Sequence, residues 1–277
     1  MPDHLHIGDF LLPVNFSTIN DDESYNDFQI GKGIKVYHEY FPDVEEAEVV
    51  LVGVGEQRGG GRGKAYSGAP DSIRRQLYGL YHWQGELQVA DVGNIRQGAT
   101  LEDTYAALRT VVAALVGAGK TAVILGGTHD LSLAQYQAYA SLEKIIEATV
   151  IDALIDLQQE CAVKSQTFLM EMFTGQPNFL RHYNHIGFQS YFTHPRMLET
   201  LDKLRFDCYR LGKVRENPDE IEPVLRNSDM LSFDISAIKS SDAPAHAVSP
   251  NGFTGDEACA LVRYAAMGSH LSSFGIY

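Results

Sequence analysis

One histidine and three aspartates, each closing or following an apolar run, are the residues of this chain best placed to do chemistry. His129 ends Ala122-Val-Ile-Leu-Gly-Gly-Thr-His129, Asp152 and Asp156 lie in Val150-Ile-Asp-Ala-Leu-Ile-Asp156, and Asp234 lies in Met230-Leu-Ser-Phe-Asp234. Side chains at the carboxyl ends of parallel strands converge on one crevice, the place where α/β folds bind ligands. Three carboxylates and an imidazole gathered there repel one another unless a positive charge sits among them, and a divalent cation is the simplest such charge. Leu154 and Ser236 stand where two further ligands would be expected. Each of the four residues has a plainer use as well. Aspartates after strands often cap the next helix, and Asp130 could cap one that begins near Leu131.

The elements that would position these residues are short apolar runs of buried-strand type. They fall at Val49–Val54, Leu87–Val92, Thr121–Leu125, Ala148–Ala153, His185–Phe188, Cys208–Leu211, Met230–Ile235 and Leu271–Ile276. Helical spacing lies between them. Leu101, Tyr105, Leu108, Val112 and Leu115 share one face of a helix over Leu101–Val116, with Gly117 and Gly119 as stop signals. Pro195–Leu204 and Gly255–Met267 give two more helices. Alternating strands and helices imply crossover connections and a parallel sheet covered on both faces. Residues 1–47 are polar and irregular and read as an N-terminal extension packed on a domain over 48–277, with residues 10–14 covering some core. The chain stops on the strand-like Leu271-Ser-Ser-Phe-Gly-Ile-Tyr277, so the natural protein is expected to continue beyond Tyr277.

Composition narrows the classes. Lys+Arg of 22 against Asp+Glu of 36 gives a formal charge of −14, which argues against nucleic acid or an anionic membrane as the main partner. Cys161, Cys208 and Cys259 are isolated and form no Cys-x-x-Cys pair, so a zinc knuckle or disulfide framework is not expected. The N-terminus lacks the basic start and apolar core of a signal peptide, and a cytoplasmic protein is the default.

Other motifs fail in detail. Gly59-Gly-Gly-Arg-Gly-Lys64 invites a phosphate-loop reading, but Arg58 sits where the first glycine belongs and Ala65 follows Lys64. A mobile surface loop is expected there. Gly53-Val-Gly55 continues to Arg58 where a dinucleotide fingerprint needs its third glycine. There is no Gly-x-Ser-x-Gly elbow, although Ser232 and Ser236 flank Asp234. His182 and His185 read as an ordinary loop pair beside a strand.

Taken together, the motifs resemble those of the ureohydrolases: arginase, agmatinase and formimidoylglutamase. The family signatures Gly-Gly-Asp-His, Asp-Ala-His-x-Asp and Ser-x-Asp-x-Asp correspond in order to Gly126-Gly-Thr-His129, Asp152-Ala-Leu-Ile-Asp156 and Ser232-Phe-Asp-Ile-Ser236. Gly68-Ala-Pro-Asp-Ser-Ile-Arg74 is similar to the family's Gly-Pro-x-x-Ile-Arg helix start, and Asp91-Val-Gly93 to its Asp-x-Gly strand. Asp242-Ala-Pro244 and Ser249-Pro-Asn-Gly-Phe253 are similar to the loop after the last metal motif. The wording of residues 232–253 is most similar to a bacterial formimidoylglutamase-like branch.

The resemblance implies an α/β protein, a three-layer α/β/α fold with a mainly parallel, about eight-stranded sheet. It also implies two Mn²⁺ ions that activate a bridging hydroxide against a guanidinium or formimino carbon. One ion would be held by His129, Asp152, Asp156 and Asp234. The other would share Asp152 and Asp234 and take its own ligands from the positions of Leu154 and Ser236, where neither residue is a suitable donor. One ion is therefore expected. Thr128 replaces an aspartate beside His129, and residues 157–181 contain no histidine to relay protons. The expected partners are a small-molecule amidine or guanidino substrate and other copies of the chain, as a trimer or hexamer, with no nucleic acid and no membrane. The reading is a hydrolase of linear non-peptide C–N bonds, formimidoylglutamate-type. The alternative, from another class, is a noncatalytic relative that keeps the fold for binding or assembly; that no metal is bound at all also stays open. A metal-dependent deacetylase would need histidine near position 154.

Overall fold

The computed structural model describes residues 7–20, 24–63, 67–82, 87–246 and 248–277. The chain forms two compact units, Met1–Ala138 and Tyr139–Tyr277.

In the first unit the order is β1 (Leu11–Leu12), α1 (Phe16–Ile19), α2 (Ile30–Gly33), β2 (Lys35–Val36), β3 (Val49–Gly53), α3 (Ala69–Tyr78), β4 (Val89–Ile95), α4 (Leu101–Gly117), β5 (Thr121–Leu125) and α5 (Leu131–Ser141), whose last turn enters the second unit. Its strands run β1-β4-β3-β5, with β2 also beside β4. Only β1 is antiparallel to its neighbour. Strand alternation separates two faces. Leu51 and Leu125 point with Val14, Ile19 and Tyr78 into a core formed by α1 and α3. Val50, Val52, Ala122 and Ile124 are buried on the opposite face, and α4 packs against β4 and β5. A capping box starts α4: the Thr100 hydroxyl accepts from Asp103 N–H at 3.1 Å, and the Asp103 carboxylate accepts from Thr100 N–H at 2.8 Å. The chain turns away at Gly119, whose φ of 76° suits glycine.

In the second unit β6 (Ile146–Ile151), α6 (Phe168–Thr174), β7 (Leu180–Phe188), α7 (Pro195–Lys203), β8 (Asp207–Arg210), α8 (Leu211–Glu216), α9 (Glu222–Arg226), β9 (Met230–Phe233), α10 (Gly255–Ala266) and β10 (Ser273–Ile276) follow in turn. The strands lie in the order β10-β9-β6-β7-β8, all parallel. Ile151, Ile186, Leu231 and Phe233 meet Leu211, Leu225 and Leu261 from α8, α9 and α10. Tyr183, of opposite parity on β7, meets Phe173 of α6 with ring centroids 4.9 Å apart. Helices thus cover both faces of a mainly parallel sheet, the α/β class expected from the sequence.

Eight strands coincide with the eight apolar runs; the two-residue β1 and β2 come from the N-terminal segment, where Leu11, Val14 and Ile19 are buried. His182 and His185 are not in a loop, because β7 begins at Leu180. Three apart on a strand, they face opposite ways. His182 pairs with Asp207 at 3.0 Å, while buried His185 bonds the Tyr183 hydroxyl at 2.8 Å. No helix among the described residues is long and apolar enough to cross a membrane.

Candidate metal centre

Register brings two of the four sequence-selected residues together. Ile151 is paired with Phe233 across parallel β6 and β9, so Asp152 and Asp234 are the next residues out on neighbouring strands. Backbone bonds fix both: Asp152 N–H donates to Ile186 O at 3.0 Å, and Asp234 N–H donates to Ile151 O at 2.9 Å. Each carboxylate offers an oxygen within 4.8 Å of the other's, close to the spacing of adjacent strands. Asp152 is buried and Asp234 half-buried. Two charges within 4.8 Å of one another repel by at least about 3.5 kcal/mol at an effective dielectric near 20. A cation between them would reverse that sign.

The same two residues also act as caps. Ser236 N–H donates to Asp234 Oδ1 at 2.7 Å, capping the 3-10 turn Ile235–Ala237. Leu154 N–H donates to Asp152 Oδ1 at 3.0 Å. The Ser236 hydroxyl donates to that same Asp152 oxygen at 2.8 Å. Capping and ion binding, alternatives in the sequence, coexist here because a carboxylate has two oxygens. Asp152 Oδ1 is taken by two protein donors, and the Leu154 side chain brings no donor of its own. The paired carboxylates are oxygen donors of the kind a hard divalent cation takes.

Asp156 is buried four residues beyond Asp152 and is not in the 4.8 Å group. Tyr183 lies near both. Burial, followed by the charges of Cys208, Asp156 and Asp152, pushes its phenol well above the ordinary value.

His129 belongs to the first unit, buried at the turn between β5 and α5. The turn needs both glycines before it. Gly126 and Gly127 have φ of 81° and 89°, and a Cβ on Gly127 would lie 2.1 Å from Leu131 Cδ1. The Thr128 hydroxyl contacts Glu56 O at 3.5 Å. Asp130 follows His129 just before α5. One of its oxygens accepts from the Tyr105 hydroxyl, the other has no hydrogen-bond partner, and burial raises its pKa against the opposing pull of those hydroxyls and His129.

The glycine-rich loop begins fixed. Gly59 is buried against the Asp130 carboxylate, and a Cβ there would come within 1.9 Å of it. Arg58 reaches Glu56 through Nε at 2.9 Å and a terminal nitrogen at 2.5 Å, and also donates to Ala99 O, Gly98 O and Thr100 O. Burial opposes the Glu56 charge, but hydrogen bonds from Arg58 and Thr104 outweigh it and hold the pKa below the usual carboxylate range. The expected surface loop is thus buried at Gly59, while Arg62 and Gly63 are exposed and Lys64 lies outside the described residues. Glu56 was not legible as a site residue: Glu-x-Arg reads equally as an exposed pair.

The supporting motifs meet each other. Arg74 is fully buried and spends all five N–H donors. Asp91 accepts two at 2.7 and 2.9 Å, Gly93 O one at 2.8 Å, Asn94 one at 2.6 Å and Asp71 one at 3.2 Å. Burial disfavours the Arg74 charge, but Asp91 outweighs it and the pKa is raised. These motifs position the fold. Clefts of about 340 Å³ beside Arg96 and about 200 Å³ beside Phe28 contain none of the four residues.

The comparisons bear on the family and the fold. The sequence profile of the arginase family matches residues 47–276. The formimidoylglutamase of Klebsiella pneumoniae (strain 342) is 30% identical over 175 residues, covering 60% of this chain and 54% of that protein. The chain spans about half the length of the curated relatives it matches. In fold it is similar to the formimidoylglutamase from Bacillus subtilis subsp. subtilis str. 168, with a TM-score of 0.78, 19% identity, and 93% of this chain and 86% of that one covered. A Trypanosoma cruzi formiminoglutamase structure with Mn²⁺₂ gives a TM-score of 0.76 at 18% identity, covering 84% of this chain and 86% of that one.

Proposed function

From a chain that belongs to the arginase family, we propose a hydrolase of linear amidine or guanidino C–N bonds, acting on a formimidoylglutamate-type substrate with one Mn²⁺. His129, Asp152, Asp156 and Asp234 are the proposed ligands; Asp152 and Asp234 rest on register as well as motif, His129 and Asp156 on motif. The observation that carries the reading is the pair of carboxylates at matched ends of β6 and β9. A divalent ion there supplies Lewis acidity and lowers the pKa of water it binds. The protein's part is positional. Burial of Asp152 limits competing water, and the Leu154 and Ser236 amides orient the two carboxylates. One ion in place of two means weaker activation of the nucleophile, so reduced turnover belongs to the proposal. The setting proposed with it is a cytoplasmic homo-oligomer, a trimer or hexamer, serving amino-acid degradation.

A specific observation favours a second reading, a noncatalytic protein of this fold with a binding or assembly role. Leu154 puts an apolar side chain at a ligand position, and Asp152 Oδ1 is already held by protein donors. Turnover separates the two. The Mn²⁺-loaded protein is assayed with formimidoylglutamate, arginine and agmatine, following formamide or urea release. Formamide released from formimidoylglutamate above a Asp234→Asn control supports the hydrolase. Metal uptake without turnover of any of the three supports the noncatalytic reading.

A further inference from the structure

We propose that Ser236 is a positioning residue: its side chain and amide clamp Asp152 and Asp234 together for a single divalent cation and close the place of a second. The inference rests on the one-ion reading above and concerns a residue outside the proposed ligand set.

Three bonds carry it. The Ser236 hydroxyl donates to Asp152 Oδ1 at 2.8 Å, its N–H donates to Asp234 Oδ1 at 2.7 Å, and Leu154 N–H donates to Asp152 Oδ1 at 3.0 Å. Ser236 is buried, so these bonds form away from bulk water. One residue therefore touches both carboxylates, through two different groups. A hydroxyl can do this because it donates; a carboxylate at position 236 has no proton to give and would add a third negative charge to two oxygens already within 4.8 Å of one another. The clamp partly neutralises the repulsion between the pair without a cation, so the two aspartates are held in register before any ion arrives. It also takes the Asp152 oxygen that lies beside Ser236 and Leu154, the side on which a second ion would need ligands that leucine and serine do not provide. Serine thus supplies as a proton donor part of what a second cation would supply as a charge.

Metal affinity tests this without recourse to activity. Mn²⁺ is titrated into the full chain and its Ser236→Ala, Ser236→Thr and Ser236→Asp variants, following free Mn²⁺ by electron paramagnetic resonance. Metal-free melting is recorded alongside. Hydrogen bonds to charged groups are strong enough that losing one should weaken binding about tenfold or more in S236A. S236T, which keeps the hydroxyl, should stay within about threefold of the wild type, and S236D should not match the wild-type affinity for its first ion. S236A that melts like the wild type but binds Mn²⁺ equally well would overturn the clamp. If S236A does not fold, S236T decides: a hydroxyl-bearing variant that folds but binds as weakly as S236D would also overturn it. A wild-type chain that takes up no Mn²⁺ would overturn the hydrolase reading and this inference together, whereas equal binding by wild type and S236A overturns this inference alone.

Discussion

Neutralising Asp234 should stabilise the metal-free protein while abolishing its response to Mn²⁺. Asp234→Asn keeps a side-chain oxygen to accept the Ser236 N–H and changes little but the charge. The structure sets the size. Oxygens within 4.8 Å of one another repel by about 3.5 kcal/mol at an effective dielectric near 20 and by about 1.7 kcal/mol near 40. The lower figure suits a half-buried Asp234, and the Ser236 clamp removes part of it, so about 1–1.5 kcal/mol of relief is expected. That raises the melting temperature of the chelator-treated protein by roughly 2–6 °C. With Mn²⁺ at a hundred times its Kd, the wild type should gain about 2.7 kcal/mol and D234N almost nothing. Thermal melts in chelator and in Mn²⁺ give all four values. The reasoning fails if metal-free D234N melts at or below the wild type, or if Mn²⁺ stabilises both proteins equally.

Three further outcomes follow from named contacts. Arg74→Met strips a fully buried Asp91 of its guanidinium and should cost about 3–5 kcal/mol, whereas R74M with D91L should cost less than the sum of the single changes; urea unfolding of the four proteins measures the coupling. Because the Glu56 pKa is depressed in the folded chain, its stabilisation is present above its unfolded value of about 4.3 and is lost as pH falls through the lower folded value. Glu56→Gln should therefore flatten the stability profile in that acid window, and a profile identical to the wild type would refute the Arg58 pairing. Leu154→His with Ser236→Asp should raise Mn²⁺ uptake from one ion to two, read by metal analysis; uptake unchanged at one would mean that the motif register is wrong.

The strands were legible because buried parallel strands leave unbroken apolar runs: Val49–Gly53 and Thr121–Leu125 fall where the sequence places them. Asp152 and Asp234 were legible as a pair for the same reason, since each directly follows its run. What the sequence did not disclose was the partner of each polar group. Ser236 reads as a missing ligand, yet the fold uses its hydroxyl as a donor to Asp152. Arg58 reads only as the residue that spoils a phosphate motif, yet with Glu56 it forms a buried pair that pins the loop's start. Asp130 reads as a helix cap, and nothing in the sequence marks Tyr105 as a partner of its carboxylate. Hydrophobic periodicity encodes which face of an element is buried, but a hydrogen-bond partner dozens of residues away leaves no periodic trace. β7 shows the same limit from another side: polar Arg181 and His182 interrupt its apolar pattern, so the sequence places its start at His185 and the strand begins at Leu180.

Metal content tests the central claim most directly. The full chain, purified without chelator, is loaded with excess Mn²⁺, freed of unbound ion by gel filtration, and assayed for manganese and protein together. One Mn²⁺ per chain is the expected result, falling to none in D234N. Two ions per chain would contradict the loss of the second site at Leu154 and Ser236, and none in the wild type would contradict the metal centre itself.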